Sequence, residues 1–155
     1  MSSGDAGSFE LGTDGPTTIL VGVDDSTTSL RAASYAGGLA RRQGARLTAV
    51  YVAPVGSPAA AAPGGAALIV AQRDAYDEIA SDMRRRAAEV SRELGISVNV
   101  VAARGDPFTE LSRVADEIRA DAIVVGASTK AGHRLIGSLA VRLVRAGKWP
   151  VTVVP

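Results

Sequence analysis

The sequence predicts an α/β protein, a doubly wound five-stranded parallel sheet with helices on both faces. Three observations carry that reading. Short β-branched apolar runs recur along the chain, amphipathic or alanine-rich segments of helical length separate them, and glycines punctuate the ends of those segments. Strands that alternate with helices imply right-handed crossovers and a parallel sheet covered on both sides.

The elements follow in order. Thr18-Ile-Leu-Val-Gly-Val23 is a continuous apolar run, the pattern of a strand buried on both faces. Asp24 to Ser29 offers several N-cap side chains to a helix that runs through Arg42 and ends at Gly44. Leu47 to Val52 reads as the second strand. Pro54 to Gly65, rich in proline, glycine and alanine without period, reads as a flexible loop. A helix is expected over Val70 to Leu94, stopped by Gly95, followed by a third strand over Ile96 to Ala102. Gly105-Asp106-Pro107 turns the chain into a short helix, with Pro107 suited to its first turn. Ala122 to Val125 is the fourth strand. Ser138 is expected to cap a last helix, with Leu139, Ala140, Leu143 and Val144 on one face and Arg142 and Arg145 on the other. Gly147 stops it, and Pro150 to Val154 supplies the fifth strand.

At 155 residues the chain is about one domain long. Residues 16–155 are read as that domain and residues 1–15 as a disordered tail, small and polar, without the basic start and apolar middle of a secretion signal. With a formal charge of +1, no electrostatic case arises for nucleic acid or an anionic membrane as partner. No apolar run reaches the roughly 18 residues of a membrane span, and a cytoplasmic location is expected. The absence of cysteine excludes disulfides, thiolate metal sites and a thiol nucleophile. The single histidine, His133, builds no histidine metal site unaided, so no metal ligands from the protein are assigned.

In an open parallel sheet, ligands bind beyond the carboxyl ends of the strands where the strand order reverses. That places the loops after Val23 and Val125 on one crevice. The second loop is polar, contains glycine and leads into a helix at Gly137-Ser138, where free N–H groups and a positive dipole end favour an anion. The local residues leave a plainer alternative open, that Gly137 and Ser138 only start a helix. Gly126 to Gly132 lacks the Gly-Lys-Ser/Thr order of a phosphate-binding P-loop, and the first turn has no G-x-G-x-x-G.

With its elements in order, the chain resembles universal stress protein domains from Pro16 to Pro155. The resemblance rests on ILVGVDDSTTSLRAASYA, on Tyr51-Val52 after the second strand, on Gly105 before the third helix, and above all on DAIVVGAS followed by GSLAVRLVRAGKWPVTVVP. It implies a Rossmann-like fold of the adenine nucleotide alpha hydrolase-like kind and a stress-response or regulatory role. Members that bind nucleotide carry Gly, two residues, Gly, nine residues and Gly-Ser/Thr over the ATP phosphates. On that pattern Asp24 and Val52 meet the nucleoside, Val23 and Val125 line the base or ribose, and Gly126, Gly137, Ser138, Leu139 and Ala140 follow the phosphates. The ligand implied is ATP or a related adenine nucleotide, with Mg or Mn only if ATP binds.

The sequence departs from that pattern in the middle of the loop. Thr129 stands where the second glycine is expected, and the stretch to Gly137 is two residues short. A β-branched residue is badly placed wherever a positive φ is needed. A phosphate-facing hydrogen bond is worth about 1.5–3 kcal/mol, so losing two weakens binding by roughly a hundred- to ten-thousandfold. Gly132 offers a substitute turn, and Lys130 and Arg134 offer possible phosphate contacts, or are simply solvated loop charges.

Two other readings compete. A dimeric interaction module of the same fold needs no nucleotide. If the last strand is a sheet edge, Val151, Val153 and Val154 make an apolar strip that a homodimer would cover, whereas Pro150 and Pro155 alone blunt such an edge. A receiver-like phosphoacceptor domain would explain Asp24-Asp25, but Asp106 opens a helix instead of ending a strand and Lys148 precedes the last strand. No base and activated water are evident, so no enzyme activity is expected beyond slow ATP turnover of the kind some relatives show, and no catalytic residue is assigned.

Overall fold

The computed structural model describes residues 15–24, 26–56, 58–128 and 137–155. Among the described residues five strands and four helices alternate: β1 (Thr18–Val23), α1 (Thr27–Gln43), β2 (Arg46–Ala53), a 3-10 turn (Pro58–Ala61), α2 (Gly65–Leu94), β3 (Val98–Arg104), α3 (Pro107–Ile118), β4 (Ala122–Gly126), α4 (Ser138–Ala146) and β5 (Val151–Val154). All four strand pairings are parallel, in the order β3-β2-β1-β4-β5. The order reverses between β1 and β4, the neighbours on which the expected crevice depends.

The apolar run of β1 is divided between two cores because successive side chains point to opposite faces. Leu20 joins Val50 and Ile123 against Leu111 and Val114 of α3 and Ala140 and Leu143 of α4. Ile19 and Val21 join Val124 against Ala32, Ala36 and Ala40 of α1. The alanines recur every four residues and form one stripe, so α1 lies close on the sheet. Burying each fully enclosed Leu or Ile contributes roughly 1.5–3 kcal/mol, which is why strand runs this apolar cannot stay at the surface.

Local signals set the helix ends. The Ser26 hydroxyl accepts from the Ser29 N–H at 3.1 Å and caps α1. Asp106 caps α3 by accepting from the Thr109 N–H at 3.0 Å, with Pro107 in the first turn. Gly44, Gly95 and Gly147 close α1, α2 and α4 with φ of 63°, 64° and 65°, the left-handed conformation a glycine adopts at least cost.

Four expectations are corrected. Helix α2 begins at Gly65 rather than Val70, since Ala66 to Ile69 are helix formers that continue it towards its N-terminus. The expected loop before it therefore holds a 3-10 turn and ends at the helix. Strand β3 runs two residues later than expected, because Ile96 is used as a plug: it is 9 % exposed within the α1 core, and its carbonyl accepts from the Ser91 hydroxyl at 2.5 Å. In α4, Val144 is 58 % exposed while Ala140 and Leu143 are buried, so the buried face is narrower than the sequence suggested.

Candidate functional site

A crevice of about 270 Å³ opens where β1 and β4 part. Its floor is the carboxyl ends of the strands, with Gly22 and Val23 from β1, Val50 and Val52 from β2, and Val125 and Gly126 from β4. The starts of α1 and α4 form two walls, and Pro107 and Leu111 of α3 complete the enclosure. The structure brings together every described residue that the sequence assigned to a nucleotide: Val23, Asp24, Val52, Val125, Gly126, Gly137, Ser138, Leu139 and Ala140. Thr129, Lys130, Gly132, His133 and Arg134 lie outside the described residues, as do Asp25 and residues 1–14.

Asp24 stands exposed at the mouth. Its Oδ1 accepts from the Ser26 N–H at 2.8 Å, and its own N–H donates to the Ser29 hydroxyl at 3.0 Å. Ser29 Oγ donates in turn to the Asp24 carbonyl at 2.6 Å. These bonds fix the turn between β1 and α1 and hold the acidic side chain at the rim. The hydroxyl-bearing residues Ser26, Thr28, Ser29, Ser128 and Ser138 also line the crevice.

The loop after β4 is anchored at its near end. Thr28 Oγ1 donates to the Ala127 carbonyl at 2.7 Å, and the Ala127 N–H donates to the Val154 carbonyl at 2.7 Å. Gly126 presses so tightly on α1 that a Cβ there would lie 2.6 Å from Thr28 C and 2.7 Å from Ser29 N. At the far end Gly137 abuts Ser128, and a Cβ on Gly137 would fall 2.7 Å from the Ser128 Cβ. Both glycines are therefore required by close approach.

Helix α4 corrects one assignment. Gly137, not Ser138, is the N-cap; it makes no side-chain cap bond, and Ser138 is the first helical residue. The first turn contains no acidic side chain. The N–H groups of Ser138, Leu139 and Ala140 precede the first helical bond, from the Val141 N–H to the Gly137 carbonyl at 3.1 Å. They lie beside the crevice. The start of α1, likewise without an acid in its first turn, faces the same space, so two helix dipoles present their positive ends there. Among the described residues no group of three or more His, Asp or Glu is placed to hold a metal ion.

Thr28, Ser29, Pro107 and Leu111 line the crevice without having been assigned to it. Thr28 and Ser29 share a face with Ala32 and Ala36 at helical spacing, a signal that was present in the sequence. Pro107 and Leu111 reach the site only through the packing of α3 beneath β1 and β2, which no local pattern reveals.

Strand β5 is an edge of the sheet. Its valines do not form one strip, however. Val151 and Val153 pack on the α3/α4 core and Val154 on the α1 core, all half-buried. What faces outward along this edge is backbone.

The comparisons agree with this architecture. The family model described as the universal stress protein family matches residues 16–155. Universal stress protein MJ0531 of Methanocaldococcus jannaschii is 31 % identical over 140 residues, covering 88 % of this chain and 80 % of that one. The universal stress protein UspA from Lactobacillus plantarum is 28 % identical with a TM-score of 0.75, over 90 % of this chain and 97 % of that one. A universal stress protein crystallised in complex with cAMP is 29 % identical with a TM-score of 0.63, over 90 % and 97 % of the two chains. The matched span takes in every described strand and helix, and by this match the chain belongs to the universal stress protein family.

Proposed function

We propose that this chain is a cytoplasmic regulatory protein of the stress response that binds an adenine nucleotide in the β1/β4 crevice and acts by that binding rather than by catalysis. The observation that carries the reading is the convergence of Val23, Asp24, Val52, Val125, Gly126, Gly137, Ser138, Leu139 and Ala140 on one crevice. The relative in complex with cAMP supports an adenine ligand. In this reading the base and ribose lie over the valines beside Asp24, and phosphate lies towards the start of α4. Thr129 and the shortened loop weaken the hold on a phosphate chain, so ATP gains less here than on the full family pattern. Mg or Mn is bound only with ATP. Lys130 and Arg134 are the cations nearest in sequence to supply charge. The protein works as a homodimer paired through β5.

Equilibrium dialysis of protein stripped of endogenous ligand, with labelled cAMP, AMP and ATP-Mg, tests this. Retention of at least one of them at about 100 μM is expected, a binding free energy of about 5.5 kcal/mol. Thr129→Gly should raise retention of ATP. No retention of any of the three would overturn nucleotide binding and leave the interaction module as the working description.

A further inference from the structure

The other end of the sheet carries a second recess, an open groove of about 460 Å³ between the C-terminal half of α2 and the first residues of β3. Arg84, Ala88 and Arg92 form one wall, and Val98 and Val100 lie opposite. β3 is an edge strand, paired only with β2. The Ser97 carbonyl accepts from the Leu47 N–H at 2.9 Å, facing β2, so by alternation Val98 and Val100 turn their N–H and C=O groups outward, along the groove. Its charge is one-sided. Two guanidinium groups line it, and no carboxylate does among the described residues. The adjacent Arg85 and Arg86 both pair with Asp82, whereas Arg84 and Arg92 form no ion pair among the described residues.

One stretch of this chain has the complementary chemistry. Residues 1–14 contain Asp5, Glu10 and Asp14 with no Lys or Arg, and set Phe9 and Leu11 on either side of Glu10. They join the domain just before Thr18, at the end of the sheet where the groove lies: Thr18 is level with Arg46 of β2, one residue before the Leu47–Val98 pair. Two strand spacings, about 10 Å, separate β1 from β3. A segment of this length spans up to about 45 Å.

We propose that the groove between α2 and β3 is the docking site for the acidic N-terminal segment, residues 1–14, of the same chain. The segment pairs with the open edge of β3, sets its carboxylates towards Arg84 and Arg92, and covers an edge that would otherwise invite pairing with other proteins. This site is separate from the nucleotide crevice, which opens at the opposite ends of the strands, and it does not depend on nucleotide binding.

The absence of cysteine makes the test direct in the 155-residue chain. Spin labels on Ser8→Cys and Asn99→Cys report the distance between segment and groove by double electron–electron resonance. A dominant short-distance population is expected at low salt, lowered at high salt as screening sets in. In Arg84→Glu/Arg92→Glu it should fall by about fivefold or more, and adding Asp5→Lys/Glu10→Lys should restore it. An unchanged thermal midpoint shows that the reversed-charge variants still fold. A broad distribution in the parent, indifference to the arginine reversal, or short distances that appear only between two molecules at high concentration would each overturn docking within the chain.

Discussion

The side chain of Thr28 donates to the carbonyl oxygen of Ala127 at 2.7 Å, tying the first turn of α1 to the loop that leaves β4. Thr28 is 7 % exposed, so water does not readily replace the bond. Thr28→Val keeps the shape and removes the donor, leaving a carbonyl inside the crevice wall without its partner. A loss of about 1 kcal/mol is expected, seen as a fall in thermal midpoint of about 2–4 °C. Retention of nucleotide should fall with it, because the same bond holds the wall. A midpoint and a retention equal to the parent would show that the latch carries neither.

Gly126 makes a sharper case, since its neighbours are backbone. A methyl group there would lie 2.6 Å from Thr28 C and 2.8 Å from Thr28 O. Neither atom belongs to a side chain that can rotate away. Gly126→Ala should therefore cost about 1–3 kcal/mol through overpacking and push α1 away from β4. Urea denaturation checks the cost: a shifted midpoint with an unchanged slope is expected.

Asp106, the N-cap of α3, joins that helix to α4. Its carboxylate takes two bonds from the Arg142 guanidinium, at 2.9 and 3.1 Å, and that guanidinium lies 4.4 Å over the Phe108 ring. The Arg142 bonds, followed by the backbone and side-chain bonds from Thr109, lower its pKa from 3.8 to about 2. Because the folded value lies below the unfolded one, its contribution is complete above about pH 4 and is lost as pH falls through about 2. Asp121 acts in the same sense: burial raises its pKa, but bonds from the Thr17 and Thr18 N–H groups and the Thr17 hydroxyl outweigh this and lower it. Asp106→Asn keeps a good N-cap residue while losing the ion pair. Its thermal midpoint should fall below the parent's at pH 7, and the gap should narrow towards pH 2. A constant gap across that range would sink the assignment.

The fold was legible in the sequence wherever a physical constraint is local. Strands buried on both faces must be continuously apolar, so Thr18 to Val23 and Ala122 to Val125 stand out, and glycine at 44, 95 and 147 marks helix ends that need a left-handed residue. The lining of the candidate crevice was legible for the same reason, since its residues sit at the ends of those strands and the start of α4. What stayed hidden depends on partners distant in the chain. Leu111 belongs to the crevice because α3 crosses beneath β1, where its Cδ2 would lie 3.0 Å from a Cβ on Gly22. Ile96 looked like strand but is claimed by the α1 core. The apolar pattern of α4 counts Val144 as core, but it is 58 % exposed, on a side of the helix that neither described core cluster reaches.

The β5 edge sets the terms for testing the proposed dimer. The carbonyls of Pro150 and Val154 accept from Ile123 and Ala127, at 2.9 and 2.7 Å, so even-numbered residues of the strand face β4. By alternation Val151 and Val153 direct their N–H and C=O groups outward. Val153→Lys would confuse dissociation with damage, since Val153 packs on the α3/α4 core. Val153→Pro removes an outward N–H, keeps an apolar side chain and spares the ladder to β4, as proline does on edge strands. Sedimentation velocity at micromolar concentration should show a dimer for the parent and a monomer for Val153→Pro. The sole tryptophan, Trp149, lies two residues before β5 and packs on the same core, so an unchanged emission spectrum in the variant would show that the core is intact. A parent that sediments as a monomer would mean that this edge is not a self-pairing surface.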